Sequence, residues 1–324
     1  MSVEKNRVVL LGDGFFARGF LHHINYNKFF VTQIYKDSFI NPQDIMYSLQ
    51  RGKKYEQSSF LHIRDFFTKG PNKKIQMDIK TLDLKLNSSE LSVKSVKSVK
   101  INNDDIKYDH LVVGLGSYKS LGEWKNQINS LIGKKWMKIA IVGMGPTGIE
   151  LGSILSKNNY IDMYDILPKE KSLTFLSTSY KNLLLDRLNN QQKNMTTTFG
   201  QPYVSSSQIH DTVIFCGGSR PNQLIEQNIK VNQFLEMVEK KEIHLGGDCI
   251  NAGYIKTAQV AYQQGAYVAK RLNGDIPLDK PFEYSPNGSL INIGDKKVII
   301  EGHKIVPNGV YPDFISRLYS VFCI

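Results

Sequence analysis

The chain has 324 residues, of which 41% are hydrophobic and 22% are charged, a composition ordinary for a globular protein large enough for two cores. It contains no apolar run of about 18 residues, so no transmembrane helix is expected. Its net charge of +11 comes from scattered lysines. That distribution lacks the basic stripe of nucleic-acid-binding proteins, so no nucleic-acid partner is expected. Solubility and an anionic membrane surface are the two open explanations of the charge.

The three cysteines are Cys216, Cys249 and Cys323, and no two of them form a CxxC pair. This spacing argues against a zinc site and against a redox-active dithiol, and it predicts a reducing, cytoplasmic compartment. The seven histidines show no ligand spacing either. We therefore expect no bound metal.

The first predicted unit begins with an apolar strand at residues 7–11. Gly12, Gly14 and Ala17 follow it in a GxGxxA pattern, and a helical pattern continues after them. In such a strand, turn and helix, the first glycine permits the tight turn and the second lets the backbone approach a pyrophosphate, which the helix N-terminus attracts. The N-terminus thus predicts a dinucleotide-binding loop.

The segment SVKSVKSVK, residues 92–100, repeats every three residues. A period of three matches neither the face of a helix nor that of a strand. Because lysines oppose edge-to-edge pairing, the segment is predicted to be an exposed hairpin edge or a loop.

A second unit is predicted near the middle of the chain. Residues 138–142 suit a buried strand, and Gly143, Gly145 and Gly148 after it have GxGxxG spacing. The third glycine would let the following helix pack close to the strand, and that helix is expected to begin near Pro146. Two such units most often bind two nucleotides at once, and the common chemical reason is electron transfer between a flavin and a nicotinamide.

Asp165 ends the strand YIDMYD, about 20 positions after the glycine motif, where an acid accepts hydrogen bonds from ribose hydroxyls. No arginine stands beside it, which favours NADH over NADPH, although Lys169 and Lys171 weaken this preference. In the first unit the corresponding strand ends in Tyr35, and Asp37 comes two residues later. The ribose contact of that unit is left open.

Three further stretches resemble the two-dinucleotide-binding flavoproteins known as pyridine nucleotide-disulfide oxidoreductases. They are KYDHLVVGLGS at residues 107–117, DTVIFCGGSRPN at 211–222 and HLGGDC at 244–249. Three more stretches resemble one branch of that superfamily, the type II NADH dehydrogenases, which are NADH:quinone reductases that do not pump protons. They are GPTGIEL at 145–151, TAQVAYQQGAYVAKRL at 257–272 and PFEYSPNGSLINIGDKKVII at 281–300.

The resemblance implies an α/β fold with two Rossmann-like dinucleotide-binding domains of the glutathione-reductase type. The flavin domain is expected to be discontinuous, from residues 1–117 and 242–281, with the NAD(H) domain inserted at 118–241. A short C-terminal segment, 282–324, follows, whereas the family usually continues through amphipathic helices that hold it on the membrane. Its end, YPDFISRLYSVFCI at 311–324, predicts either an interfacial anchor or a terminal helix packed on the protein.

The resemblance also assigns residues to the flavin. Asp248 is expected to bind the ribityl and phosphate region of FAD, where a carboxylate accepts hydrogen bonds from hydroxyls. The helix that begins near Thr257 is expected to aim its N-terminus at the flavin, so that its dipole stabilises the negative charge of the reduced ring. Gln259, Gln263 and Gln264 on this helix are expected near the flavin and the quinone pocket, the alternative being solvent-facing residues of a good helix former.

On the nicotinamide side, the resemblance places Glu150 near the nicotinamide and the flavin, the alternative being a carboxylate favoured near any helix N-terminus. Gly217 and Gly218 either let the backbone approach the nicotinamide or merely form a turn. Gly116 is assigned to cofactor binding. The predicted catalytic residues are Glu150, Gln263 and Gln264, and the other residues named are predicted to bind cofactors.

The implied activity is that of an FAD-dependent oxidoreductase that takes a hydride from NADH and passes two electrons to a quinone, without a nucleophilic side chain. Sulfide:quinone and disulfide chemistry need a cysteine pair beside the flavin and are a minor alternative. Oxygen or a soluble molecule is an alternative acceptor. A redox-sensing or interaction protein that binds flavin and NADH without turnover is a further alternative, and peripheral membrane association and a homodimer are left open.

Overall fold

The computed structural model describes most of the chain between residues 5 and 300. The described residues are 5–36, 42–54, 71–77, 79–80, 82–83, 98–102, 104–118, 121–173, 176–191, 193–204, 209–218, 220–225, 229–285, 289–293 and 296–300. The predictions made for Asp37, for Cys323 and for the C-terminal residues 311–324 lie outside the described residues.

The strands and helices alternate along much of the chain. The described strands are β1 (Asn6–Leu11), β2 (Phe29–Tyr35), β3 (Lys73–Gln76), β4 (Leu82–Asp83), β5 (Ser98–Ile101), β6 (Asp104–Lys107), β7 (His110–Val113), β8 (Ser117–Tyr118), β9 (Lys138–Val142), β10 (Tyr160–Asp165), β11 (Met195–Phe199), β12 (Thr212–Phe215), β13 (Arg220–Pro221), β14 (Glu236–Met237), β15 (Lys240–Leu245), β16 (Ser289–Ile293) and β17 (Lys296–Ile300). The described helices are α1 (Phe15–His23), α2 (Pro42–Gln50), α3 (Leu121–Ser130), α4 (Pro146–Leu155), α5 (Thr178–Gln191) and α6 (Ala258–Asn273), with a 3₁₀ turn at Gly247–Cys249. None of these helices is long and apolar enough to cross a membrane.

The first sheet has six strands in the order β14-β15-β7-β1-β2-β3. All neighbours pair in parallel except β14 and β15. The chain enters this sheet before the second unit and returns to it afterwards, so the first unit is discontinuous. The returning part begins with β14, whose residues 236–237 fall inside the range 118–241 predicted for the inserted domain.

The second sheet has four parallel strands in the order β11-β10-β9-β12. Its core includes the fully buried Ile141 of β9 and Ile149 of α4. Helix α2 and strand β16 also pack on α4, and Ile291 and Ile293 of β16 are buried in this core. The predicted α/β fold with two Rossmann-like units is confirmed.

Helices α1 and α6 cross at two glycines. A Cβ atom on Gly19 would lie 2.0 Å from the carbonyl oxygen of Tyr262, and a Cβ atom on Gly265 would lie 2.0 Å from the carbonyl oxygen of Phe16. No larger residue fits at either position without moving a backbone. The sequence therefore permits the two helices to touch backbone to backbone.

A third sheet contains β4, β5 and β6 in that order, all antiparallel. Its central strand β5 includes residues 98–100 of the lysine repeat, and Val99 is only 2% exposed. The prediction of an exposed edge or loop is wrong for these residues. The reason is that both flanking strands pair with β5, and Val99 turns inward while Lys100 stays exposed.

One buried polar residue stands out in the first core. His244 of β15 is 2% exposed, and among the described residues neither of its ring nitrogens has a hydrogen-bond partner. Burial, with the nearby His110 and Arg271 adding to it, lowers the pKa of His244 to about 3. The folded chain therefore holds a neutral imidazole where an unfolded chain titrates normally.

We predict that His244 makes the fold sensitive to mild acid. The pKa of His244 is about 3 in the folded chain and 6.5 ordinarily, so below pH 6.5 the unfolded state binds more protons than the folded state. The free energy of unfolding is therefore highest above pH 6.5 and falls as the pH drops from 6.5 towards 3. Below pH 6.5 the free energy of unfolding should fall by about 1.4 kcal/mol per pH unit. Between pH 7 and pH 5, the wild-type chain should therefore lose about 2 kcal/mol more unfolding free energy than His244→Leu, as measured by urea titration. Between pH 7 and pH 8 the two proteins should change equally, and equal losses at pH 5 would contradict the prediction.

Candidate functional site

The first glycine loop joins β1 to α1. Gly12 has φ of +112°, and a Cβ atom there would lie 2.3 Å from the carbonyl oxygen of Gly114, so both the backbone and the space require glycine. Gly14 is the N-cap of α1, and a Cβ atom there would meet nothing within 4 Å. Ala17 is completely buried. The turn residue is thus packed, while the space beside Gly14 is open to a ligand.

The second glycine loop repeats this arrangement between β9 and α4. Gly143 has φ of +107°, and a Cβ atom there would lie 2.4 Å from the backbone nitrogen of Gly217. A Cβ atom on Gly148 would lie 2.0 Å from the carbonyl oxygen of Gly143, whereas one on Gly145 would meet nothing within 4 Å. Gly143 therefore permits the turn, Gly145 leaves space for a ligand to approach the backbone, and Gly148 lets the helix pack against the turn, in the order that the motif predicts.

Both helices leave their N-termini available. The N-caps Gly14 and Gly145 offer no side chain to the first-turn amides, and neither helix has an acidic residue in its first turn. Unpaired amides and the positive end of the helix dipole attract an anion such as a pyrophosphate. The residues present thus fit a dinucleotide at each loop.

The two loops belong to sheets whose carboxyl ends are linked. Strand β8 follows β7 of the first sheet, β13 follows β12 of the second, and the two pair antiparallel. Asn222 also donates a hydrogen bond to the carbonyl oxygen of Leu115, at 3.3 Å. Gly116 and Gly218, with φ of +69° and +66°, lie just before these two strands. Ligands of parallel α/β sheets bind outside the carboxyl ends of the strands, so both predicted sites open towards this junction.

Asp165 ends β10 as predicted, and its carboxylate is held from inside its own loop. Oδ1 accepts a hydrogen bond from the backbone of Leu167 at 3.0 Å, and Oδ2 accepts one from the hydroxyl of Ser172 at 2.6 Å. The ammonium of Lys181 donates to backbone carbonyls of the same loop, among them that of Ser172 at 2.9 Å. Each carboxylate oxygen keeps a lone pair for a ribose hydroxyl.

Sequence reasoning missed the roles of Ser172 and Lys181, because neither belongs to a motif. It also missed Gln33, which is fully buried in β2 and donates to the carbonyl oxygen of Gly12 at 2.8 Å and to Asp13 at 3.0 Å. The one available signal was a glutamine inside the otherwise apolar strand FFVTQIY. Its contacts hold the first glycine turn in place.

Asp248 lines a cavity at the start of α6. The lining comprises Gly247, Asp248, Ile250, Ala252, Tyr254, Ile255, Lys256, Val260, Ala261 and Gln264. Burial raises the pKa of Asp248, and the charge of Lys256 partly opposes that rise. Thr257 caps α6 as predicted, since its hydroxyl accepts a hydrogen bond from the backbone of Val260 at 3.2 Å. A half-buried carboxylate and a helix start thus face the same space.

Gln264 is buried beside this cavity, with 2% of its surface exposed. Its side-chain oxygen accepts a hydrogen bond from the backbone of Gly247 at 2.6 Å. Gly247 has φ of +71° and directly precedes Asp248. The contact that the structure shows for Gln264 therefore positions the Asp248 turn, and its predicted catalytic role stays a prediction.

The other two glutamines hold a segment that we call the strap, residues 280–285. Gln263 donates to the carbonyl oxygen of Ser285 at 2.7 Å and accepts from its backbone nitrogen at 3.0 Å. Gln259 accepts from the hydroxyl of Tyr284, and Tyr267 donates to the carbonyl oxygen of Lys280 at 2.8 Å. Gln259, Gln263 and Tyr267 are spaced four residues apart on one face of α6, so this face holds the strap through hydrogen bonds.

The strap connects the two units. It leaves α6 of the first unit, and the chain then forms β16, which packs on α4 of the second unit. Glu150 lies within α4 and is 1% exposed, so its carboxylate is not an ordinary solvated residue of a helix start. Its predicted place beside a nicotinamide, like that of Gly217 and Gly218, stays a prediction.

The two described cysteines are buried and unpaired in disulfides. Burial raises the pKa of Cys249 to about 11, and its thiol faces the carbonyl oxygen of Gly246 at 3.1 Å. Such a thiol is not a nucleophile at neutral pH. Among the residues that the structure describes, no group of three or more histidines, cysteines and acids could hold a metal ion.

Comparison with known proteins identifies relatives. No family model matches the chain. External NADH-ubiquinone oxidoreductase 2, mitochondrial, of Saccharomyces cerevisiae is 20% identical over 350 residues, which cover 86% of this chain and 64% of that protein. A probable mitochondrial NADH-ubiquinone oxidoreductase of Schizosaccharomyces pombe is 24% identical over 194 residues, covering 46% of this chain and 35% of that protein. The predicted resemblance to the type II NADH dehydrogenases is confirmed.

The solved structures agree with this fold. NDH2 of Plasmodium falciparum, solved with the compound RYL-552, superposes with a TM-score of 0.68 at 14% identity, covering 98% of this chain and 94% of that one. The water-forming NADH oxidase of Lactobacillus brevis superposes with a TM-score of 0.63 at 16% identity, covering 91% and 75%. The chain spans less than two thirds of the length of the curated relatives it matches.

We predict that Gly145 in the second loop matters for NADH binding, whereas Gly148 matters for the stability of the fold. Gly145→Ala should keep the wild-type melting temperature, because its methyl group enters open space, yet weaken NADH binding about tenfold or more by blocking the approach of the phosphates. Gly148→Ala should lower the melting temperature, because its methyl group meets the backbone of Gly143. Calorimetric titration with NADH and thermal melts measure the two effects, and unchanged NADH affinity in Gly145→Ala would contradict the assignment.

We also predict that Gln263 fastens the strap. Gln263→Leu removes both hydrogen bonds to Ser285 and should cost about 1–3 kcal/mol locally. The backbone amide of Ser285 should then exchange hydrogen faster, as measured by hydrogen–deuterium exchange. Gln263→Glu keeps the acceptor for that amide, so its exchange rate should lie between those of the wild type and Gln263→Leu. Gln201→Leu, at an exposed loop position of the second unit, is the control. Wild-type exchange in Gln263→Leu would refute the role.

Proposed function

We propose that the chain is an FAD-dependent oxidoreductase that takes a hydride from NADH and passes two electrons to a quinone. The observation that carries the proposal is the pairing of β8 with β13, which joins the carboxyl ends of two sheets that each end in an open glycine loop. Two dinucleotides at such a junction suit electron transfer between a flavin and a nicotinamide. The names of the relatives, NADH-ubiquinone oxidoreductases, support the same reaction.

On the flavin side, the amides at the start of α1 would bind the pyrophosphate of FAD, and Asp248 would accept hydrogen bonds from its hydroxyls. The flavin, when bound, supplies the chemistry of hydride acceptance and electron release. The start of α6 would face it with the positive end of the helix dipole, which favours a reduced ring. Gln264 would keep the Asp248 turn in place through Gly247.

On the nicotinamide side, the amides at the start of α4 would bind the pyrophosphate of NADH, and Asp165 would bind the adenosine ribose. Ser172 fixes the orientation of that carboxylate, which favours a free 2′-hydroxyl and hence NADH. Glu150, Gly217 and Gly218 would surround the nicotinamide. Alignment of the two rings and exclusion of water are the contributions asked of the protein.

We assign these roles to the units that the sequence predicts. We propose a flavin domain formed by residues 1–117 and 242–281, an inserted NAD(H) domain at 118–241, and a C-terminal segment from 282 onwards. The pairing of β14 with β15 supports moving the second boundary back to about residue 236.

Disulfide and sulfide chemistry are the less favoured alternatives. Both need a reactive cysteine pair beside the flavin. Cys216 and Cys249 are buried, and the raised pKa of Cys249 keeps its thiol protonated. We propose a reducing compartment for the chain, with peripheral contact to a quinone-containing membrane. The curated relatives are named as mitochondrial proteins.

An anaerobic titration tests the proposal. The purified chain should carry FAD. Addition of NADH should rapidly bleach the absorbance of the flavin, and a short-chain ubiquinone should then restore that absorbance. Gly145→Ala should bleach more slowly at the same NADH concentration. If oxygen or a soluble dye restores the flavin absorbance and the quinone does not, the electron acceptor is not a quinone. Absence of flavin, or a flavin that NADH leaves oxidised, would overturn the proposed activity.

A further inference from the structure

The loop that follows β10 is exposed, yet it is closely hydrogen-bonded. We call it the Asp165 loop and define it as residues 165–173. Residues 166–171 are all exposed to solvent. Nevertheless, the backbone carbonyl groups at positions 165, 167, 168, 169, 170 and 172 accept hydrogen bonds from within the chain. Water could satisfy carbonyl groups at an exposed position, so these bonds fix the conformation of the loop.

Lys181 of α5 closes the loop from the next helix. Its ammonium donates to the carbonyl oxygen of Lys169, to that of Glu170 at 3.2 Å and to that of Ser172 at 2.9 Å. An ammonium group has three N–H donors, and these three carbonyl oxygens match that number. The charge of Lys181 is therefore directed at the inside of the loop.

The remaining bonds bring the end of the loop back to its start. The carbonyl oxygen of Pro168 accepts from the backbone nitrogen of Ser172 at 2.9 Å. Gly200, with φ of +72°, donates its backbone N–H to the carbonyl oxygens of Asp165 at 2.9 Å and Leu167 at 3.0 Å. Position 172 thus returns beside position 165, although seven residues separate them.

Leu173 shows that this return is imposed by the surrounding structure. Its φ is +55°, a left-handed conformation that bulky residues rarely adopt, and its side chain is 5% exposed within the second core. Such a conformation persists only where the surroundings determine it, and it is common at ligand clamps. The residue before it, Ser172, is 1% exposed and donates its hydroxyl to Oδ2 of Asp165 at 2.6 Å. The backbone strain therefore lies directly beside the contact with the carboxylate.

Two opposite kinds of charge occur in this loop. The carboxylate of Asp165 suits the free 2′-hydroxyl of NADH and repels the 2′-phosphate of NADPH. Lys169 and Lys171 are exposed cations of the kind that attracts such a phosphate. Selection between the two nucleotides therefore depends on which group is held at the ribose. The contacts of Ser172 and Lys181 hold the acid.

We propose that Ser172 and Lys181 are positioning residues that select NADH against NADPH. Lys181 fixes the fold of the loop, the fold places the hydroxyl of Ser172, and that hydroxyl fixes the rotation of the Asp165 carboxylate. Loss of either residue lets the carboxylate turn and lets the two exposed lysines approach a 2′-phosphate. The inference rests on the proposed NADH site and adds to it the residues that determine which nicotinamide nucleotide it takes.

Binding of two nucleotide fragments tests the role of Ser172. ADP-ribose and 2′-phospho-ADP-ribose carry the adenosine ribose without the hydride donor, so they leave the flavin of the FAD-loaded full chain oxidised. Calorimetric titration should show that the wild type prefers ADP-ribose about tenfold or more. Ser172→Ala should lower this ratio about tenfold, since it removes a hydrogen bond to a charged group, whereas Ser172→Thr keeps the hydroxyl and should keep the ratio.

Lys181 is tested with a matched pair of variants. Lys181→Met keeps the length of the side chain and removes its donors, so the preference for ADP-ribose should fall and the amide of Ser172 should exchange hydrogen faster. Lys181→Arg keeps donors and should restore part of the preference. The control is Thr196→Val, which removes another hydroxyl bonded to a carboxylate of β10, that of Asp162, and should keep the wild-type ratio.

The outcomes separate this inference from the proposed reaction. If NADH bleaches the flavin but Ser172→Ala and Lys181→Met keep the wild-type ratio, the inference is overturned and the reaction stands. An equal loss of affinity for both fragments would show that the two residues only stabilise the loop, which also overturns the inference. If the wild type binds neither fragment, the NADH site itself is absent and both proposals are overturned.

Discussion

The backbone contact between α1 and α6 determines how the first unit is arranged. Gly19 and Gly265 let the two helices touch, and the ring of Phe16 fills the space that a side chain on Gly114 or Gly246 would need. Helix α1 starts at the first glycine loop and α6 follows the turn that carries Asp248. The contact therefore brings two distant parts of the chain to one edge of the sheet. A larger residue at the crossing would separate the loop from the turn.

The buried and half-buried amide side chains mostly position backbone. Gln33 holds the Gly12 turn, Gln264 holds Gly247, and Gln263 holds the strap. An amide side chain can donate and accept at once, so it can replace a missing backbone partner in a turn or a crossover. This explains why glutamines occur where the chain changes direction beside the candidate site. Contacts of this kind position a backbone before a ligand binds, and such preorganisation lowers the ordering cost of binding.

The two edges of the second sheet differ in chemistry. The carboxyl edge carries glycines, open helix starts and Asp165, whereas the amino edge carries lysines and exposed aromatic rings. In a parallel sheet every strand contributes its start to one edge and its end to the other. The two sets of residues are therefore separated by the length of a strand.

The sequence by itself determined the two strand–glycine–helix units, the acid at the end of YIDMYD and the cap of α6, because each depends on neighbours within about 20 residues. It could not reveal that Ser172 and Lys181 hold the Asp165 loop, or that Gln263 clasps Ser285, because these partners belong to no local period. It also misread residues 98–100 as an edge, since the pairing of β5 with β4 and β6 is decided by segments on both sides. Only the tertiary structure decided these contacts and the grouping of Trp136 with Tyr160, because parallel strands bring together residues that are distant along the chain.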